Sequence, residues 1–115
     1  MNIVIYVYNG LTALDAIGPY EVLSRLPKAN IKFVGEEKGV IVSDTHFLKI
    51  FAEYDITEVS TADILVVPGS TVGFLREIKK EPVLSWLQKI HAQTQWTTSV
   101  CTGSIILAAA GILQG

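Results

Sequence analysis

Apolar residues along this chain fall into two kinds of pattern. Asn2–Tyr8 (NIVIYVY), Ile31–Val34 and Ile64–Val67 (ILVV) are unbroken runs rich in β-branched and aromatic side chains. Such runs predict strands buried on both faces, and Gln95–Val100 reads as a further strand. Elsewhere the spacing is helical. Leu11, Leu14, Ile17, Val22, Leu23 and Leu26 define a helix over Leu11–Leu26. Gly18-Pro19 is expected to break or restart it, and Pro27 to end it, because proline lacks an N–H and disfavours helical geometry before it. Val72–Lys80 and Pro82–Gln93 predict two short helices, the second with proline near its first turn, where it is tolerated. Thr102–Leu113 predicts an Ala/Ile/Leu helix with no charged face, buried nearly all round. Val40–Phe51 alternates weakly around Ser43-Asp44 and predicts one or two minor strands of a hairpin-like excursion.

Unbroken apolar strands alternating with helices predict an α/β fold, a doubly wound and mostly parallel sheet covered on both faces. No repeat, linker or low-complexity tract divides residues 1–115, so one domain is expected. Composition then removes several function classes. The chain is 50% hydrophobic and only 17% charged, against about 25% charged in an ordinary domain, which excludes disorder. Nine Lys+Arg against eleven Asp+Glu give a net charge of −2 with no basic run. Nucleic acid and anionic membranes are therefore not expected as main partners. Ala92–Gly115 carries no formal charge, but it holds three Gln, four Thr and two Ser. Its apolar run, Ile105–Leu113, falls short of the ~18 residues a membrane span needs. The N-terminus lacks a basic region and a cleavage site, so no signal peptide is expected. A lone cysteine suits a reducing cytoplasm.

In doubly wound sheets, ligands bind beyond the carboxyl ends of the strands. Three strand ends carry candidate chemistry: Asn9-Gly10 leading to Thr12 and Asp15, Pro68-Gly69-Ser70-Thr71, and Ser99-Val100-Cys101-Thr102-Gly103. In the last, a small residue stands two positions before and after Cys101, as a nucleophile elbow requires. Cys101 would then sit at a helix N-terminus, where the helix dipole favours a thiolate. The competing reading is a buried, inert cysteine. Asp15, three residues after Thr12, fits a capping box, or else a carboxyl group facing Cys101 across the cleft. The Gly69-Ser70 turn could present backbone N–H groups as oxyanion donors, or be an ordinary turn. His46 and His91 have no metal-like spacing, and no Cys/His cluster suggests zinc. No G-x-G-x-x-G or P-loop supports a nucleotide. Trp86 and Trp96 read as core or interface aromatics. A receiver domain would need an acidic residue after Val67, where Pro68 stands.

Three segments, TALDAIGPYEVL (12–23), DILVVPGSTVGFL (63–75) and TTSVCTGSIILAAAGIL (97–113), resemble the ThiJ/PfpI superfamily, specifically the branch containing isonitrile hydratase. The resemblance runs through essentially the whole chain in order. It implies a flavodoxin-like, class I glutamine amidotransferase-like fold. It implies Cys101 as elbow nucleophile, Asp15 as the acid paired with it, and Thr102 as the threonine of the hydratase branch. Protease- and amidase-like relatives usually carry histidine at that position, and glyoxalase- or deglycase-like members usually carry Glu in place of Asp15. The family's PGG turn is Pro68-Gly69-Ser70 here, and a serine forced into glycine geometry would cost about 1 kcal/mol or more.

The activity implied is cysteine-dependent hydration of an isonitrile to an N-substituted formamide, a lyase-type reaction with no metal or organic cofactor. The alternative is a ligand- or oxidant-sensing domain without turnover, including the sensing part of a transcription regulator. The resemblance also implies a small-molecule substrate, a homodimer, and a chain corresponding to the N-terminal part of a longer family domain.

Overall fold

The computed structural model describes residues 1–112. Its core is a five-stranded parallel sheet built from β1 (Asn2–Tyr6), β2 (Asn30–Gly35), β5 (Tyr54–Asp55), β6 (Ile64–Val67) and β7 (Trp96–Ser99). The order across it is β5-β2-β1-β6-β7. β1 lies at the centre because it has no polar residue after Asn2, and Ile3 to Tyr6 are buried on both faces. Its register sets Ile3 beside Ile31 on one side and Ile64 on the other. β3 (Gly39–Val42) and β4 (Lys49–Ala52) form the expected excursion as a separate antiparallel hairpin, with Val40 opposite Phe51.

Helix α1 (Ala13–Leu23) lies over the sheet face carrying Ile64 and Val66, where Pro19 and Leu23 approach them. The opposite face carries Tyr6, whose ring meets Trp86 of α3 (Glu81–His91). α4 (Gly103–Ala109) packs beside α3 on β6 and β7, and α2 (Phe74–Glu77) is a single turn against α4. The buried amphipathic face of α3 comprises Val83, Leu84, Trp86, Leu87 and Ile90. This is the doubly wound α/β architecture. No helix among the described residues is long and apolar enough to cross a membrane.

The structure corrects several expectations. α1 runs unbroken through Pro19. Gly18 precedes the proline ring and has no Cβ to crowd it, so the usual restriction on the preceding residue is relaxed. α1 also starts later than expected, because Leu11 instead forms a β-bridge with Ser70. α2 keeps only four of the nine residues of Val72–Lys80. α4 ends at Ala109, and Leu113 lies outside the described residues. It is not buried all round: Ile106 and Leu107 face the core, while Ile105 is 41% exposed. Trp86 is a core residue whose indole donates to Val59 O at 2.6 Å, whereas Trp96 stands exposed on edge strand β7. The two-residue β5 has no pattern long enough to announce it.

Tyr6 donates to Glu77, which is 1% exposed. The other oxygen of Glu77 meets Lys80 Nζ at 3.1 Å, and Lys80 also reaches Glu36 at 3.1 Å. A buried carboxylate needs such partners, because an unpaired one is far too costly to desolvate. Burial, reinforced by the charge of Glu77, pushes the Tyr6 hydroxyl well above its ordinary pKa. Burial pulls Lys80 down, but its hydrogen bonds to Glu77 and Glu36 outweigh that and hold the ammonium above its ordinary value.

The start of α4 sets the tightest steric condition. A Cβ on Gly103 would lie 2.1 Å from Val67 O and 3.0 Å from Pro68 O, both rigid backbone atoms. Gly103→Ala should therefore lower stability by about 1–3 kcal/mol, the range for overpacked sites. Urea unfolding checks this, and an unchanged midpoint would show that α4 can shift freely.

Candidate active site

The sheet reverses its winding between β1 and β6, so the crevice of this fold opens where those two strands end. Three turns meet there. β1 leads through Asn9 and Gly10, whose φ of 89° suits glycine, into Thr12 at the start of α1. β6 leads into Pro68-Gly69-Ser70. β7 leads through Val100 into Cys101 and Thr102. Backbone bonds lock the turns together: Thr12 N–H donates to Gly69 O at 2.9 Å, and Val100 N–H donates to Val67 O at 3.1 Å. Gly69 permits the contact, since a Cβ there would sit 2.7 Å from Val100 O and 2.8 Å from Thr102 N.

Cys101 adopts φ 49°. A non-glycine residue in the left-handed region costs about 1–3 kcal/mol and persists only where its surroundings over-determine it. They do so here. Gly103 N–H donates to Val100 O at 2.9 Å, and Ser104 Oγ donates to the Cys101 carbonyl at 3.2 Å. The strand–left-handed residue–helix geometry is that of an elbow, and it leaves the Cys101 side chain exposed. Cys101 is therefore not a buried core cysteine.

Asp15 projects from the first turn of α1 and is 8% exposed. Cys101 Sγ donates to its Oδ1 across a long 3.9 Å contact, joining residues 86 positions apart. The capping box does not form. Thr12 makes no side-chain cap bond, and its hydroxyl donates instead to Asp44 Oδ2 at 2.9 Å. The carboxylate of Asp15 has one consequence that opposes the expectation from the helix end. Its charge, with lesser contributions from partial burial and the hydrogen bond, pushes the Cys101 thiol above its ordinary pKa. In this arrangement Cys101 Sγ faces Asp15 Oδ1.

Thr102 and Ser70 engage each other. Thr102 Oγ1 donates to Ser70 O at 2.8 Å and accepts from Ser70 N at 2.8 Å. The Ser70 N–H, expected as a donor to the cleft, is thus used inside the turn. The anticipated glycine geometry is also not imposed on Ser70. Lys28, His46 and Cys101 are the only non-glycine residues with positive φ among the described residues. Ser70 Oγ accepts from Phe74 N at 2.7 Å and so begins α2. Among the described residues the Thr102 N–H has no acceptor.

Two contributors had no sequence signal. Tyr8 donates to Pro68 O at 2.7 Å from below the turn, and burial raises its hydroxyl to about 12, so it remains a donor. Asp44, from the β3–β4 hairpin, accepts from Thr12 and from Thr71 Oγ1 at 3.1 Å. The Thr12 bond above all holds the Asp44 carboxyl below its ordinary pKa. Hairpin residues such as Val42, Asp44 and His46 line a cleft of about 560 Å³ together with Asn9, Val72 and Arg76; Cys101 is not part of its wall. His91 is exposed, with Nδ1 2.7 Å from Thr97 Oγ1. No group of three or more metal-ligating side chains converges among the described residues.

Known proteins resemble this chain in sequence and fold. The model of the DJ-1/PfpI family matches residues 1–115. Isonitrile hydratase from Pseudomonas putida is 38% identical over 103 residues, covering 89% of this chain and 44% of that protein. An uncharacterized Streptomyces lividans protein from the cpoL 5' region is 32% identical over 124 residues, covering 99% of this chain and 82% of its own length. Among solved structures, a ThiJ/PfpI family protein from Pseudomonas syringae superposes with a TM-score of 0.94 at 32% identity, over 99% of this chain and 47% of that one. An oxidized DJ-1 from Toxoplasma gondii shares the fold at a TM-score of 0.84 and 20% identity, over 99% of this chain and 63% of its own. The chain thus spans less than half of the isonitrile hydratase and of the Pseudomonas syringae protein. With the fold, the elbow and the matched sequence in accord, the chain belongs to the DJ-1/PfpI family.

Proposed function

We propose that Cys101 and Asp15 hydrate an isonitrile, R–NC, to the N-substituted formamide. The observation that carries this reading is the Cys101 Sγ–Asp15 Oδ1 contact on a left-handed elbow. Identity to the Pseudomonas putida isonitrile hydratase supports the choice of substrate. The chemistry fits a thiol that keeps its proton. Addition to an isonitrile places both the nucleophile and a hydrogen on the same carbon. A site that delivers sulfur and a proton together suits that reaction better than a bare thiolate does.

The steps balance with water as the only co-reactant. Sγ forms a bond to the terminal carbon while the thiol proton passes through the Asp15 carboxylate to that same carbon, giving the thioimidate R–N=CH–S–Cys101. Asp15 then takes a proton from water as the water oxygen adds to the carbon, and passes that proton to the nitrogen, giving R–NH–CH(OH)–S–Cys101. The C–S bond breaks, the hydroxyl proton returns by way of Asp15 to sulfur, and R–NH–CHO leaves. In this reading Thr102 and backbone amides steady the thioimidate, while the Thr102 hydroxyl holds the Ser70 turn.

A homodimer in the cytoplasm belongs to the same reading. The exposed apolar side chains of Leu14, Val22 and Trp96 offer surface that such an assembly would cover.

Loss of isonitrile and appearance of formamide, followed by infrared absorbance and mass spectrometry, test the proposal. Cys101→Ser should reduce turnover by at least about a thousandfold, and undiminished turnover would refute the role of Cys101. Asp15→Asn should slow turnover by about a hundredfold or more, the usual range for loss of a general acid–base group. The same variant should alkylate faster than wild type with iodoacetamide at neutral pH, because removing the Asp15 charge lowers the Cys101 pKa and enlarges the thiolate fraction. An unchanged or slower alkylation rate would mean that Asp15 does not act on the thiol.

A further inference from the structure

Asp44 touches neither Cys101 nor Asp15, yet it joins their supports. One of its oxygens, Oδ2, accepts from Thr12 Oγ1 at 2.9 Å and from Thr71 Oγ1 at 3.1 Å. Thr12 opens α1, and its carbonyl accepts from Asp15 N at 3.0 Å, so its placement sets the turn that aims the acid. Thr71 follows Ser70, whose N–H and carbonyl are both bonded to Thr102, the residue after the thiol. A single carboxylate oxygen therefore spans the acid's turn and the β6–α2 turn, and the latter bonds Thr102 through Ser70. Asp44 is itself anchored. Its N–H donates to Leu11 O at 2.8 Å, and the neighbouring strand is held by Gly10 N–H to Val42 O at 2.8 Å and by Val42 N–H to Asn9 Oδ1 at 2.9 Å.

We propose that Asp44 is a positioning residue for the Cys101–Asp15 pair, holding the first turn of α1 against the β6–α2 turn and so setting the Sγ–Oδ1 contact. Hydrogen bonds to an ionised acceptor are stronger and shorter than neutral ones, which favours this use of the Thr12 hydroxyl over the N-cap position open to it. Without Asp44, Thr12 can turn inward to cap α1, and the first turn loses its tie to the hairpin. The inference rests on Cys101 and Asp15 working as a pair, but it does not rest on the identity of the substrate.

The test is the pH dependence of Cys101 alkylation by iodoacetamide in the intact chain, with thermal unfolding measured alongside. Asp15→Asn sets the scale by moving the midpoint downward, because it removes the charge beside the thiol. Asp44→Ala and Thr12→Val should each move it in the same direction by a smaller amount, and the double variant by no more than either alone. Asp44→Asn, which keeps an acceptor oxygen but loses the charge, should move it less than Asp44→Ala does. A merely structural residue would change the unfolding temperature and leave the alkylation midpoint in place. A wild-type midpoint in folded Thr12→Val overturns the proposal, as does an Asp44→Asn shift as large as that of Asp44→Ala, which would mean charge alone. Should Asp44→Ala fail to fold, Thr12→Val and Asp44→Asn decide the matter. If Asp15→Asn itself moves nothing, the pairing falls and this inference with it. Loss of turnover on isonitriles, with the midpoints shifting as expected, would reject only the substrate.

Discussion

The site depends on two backbone turns lying closer together than any side chain would allow. Gly69 and Gly103 provide that approach, each with backbone atoms where a Cβ would stand. The β6–α2 turn is thereby pressed against the β7–α4 turn, and the chain leaving β7 must turn sharply to enter α4. Cys101 absorbs that turn by adopting the left-handed region. The bonds of Gly103 N–H and Ser104 Oγ, together with the reciprocal pair between Thr102 and Ser70, hold it there. A strained cysteine in the open is improbable on local energetics alone, so the surrounding packing must impose it.

The same placement decides the protonation of the thiol, where two effects compete. A helix N-terminus favours the thiolate with the equivalent of roughly half a unit charge, and the effect falls off within the first turn. α4 has only seven residues, and Asp15 brings a full charge to within hydrogen-bonding reach of the sulfur. The Asp15 charge, above all, pushes the thiol above its ordinary pKa. A group of this kind is a reluctant nucleophile toward substrates that need only an electron pair. It is better matched to one whose carbon must receive a proton as well.

The sheet and the juxtaposition of Cys101 with Asp15 were legible in the sequence for definite reasons. NIVIYVY and ILVV have no polar face, so they could only be interior strands, and the central places of β1 and β6 follow from that. Cys101 was visible because the elbow requires small residues on both sides of it, and Asp15 because it follows a strand end at the start of a helix. Element ends were less legible. Leu11 and Val72 have helical spacing but are taken up by turn contacts, and Pro19 sits inside α1 because Gly18 tolerates it. The role of Thr12 was misread because Asp44, 32 residues away, competes successfully for its hydroxyl, and no local pattern reveals that partner. The buried network of Tyr6, Glu77 and Lys80 was hidden for the same reason, its members meeting only through the tertiary fold.

Cys101 is the single cysteine of the chain, so carbon-13 label in its Cβ reports one titration without overlap. The Cβ resonance of the wild-type protein, followed against pH, measures the thiol directly at equilibrium. The account predicts a midpoint above the ordinary cysteine value of about 8.5, with the resonance at its thiol position throughout the neutral range. A midpoint below that value, with thiolate already formed at neutral pH, would show that the helix end and not Asp15 governs the cysteine, and would contradict the proton-sharing pair on which the proposed chemistry rests.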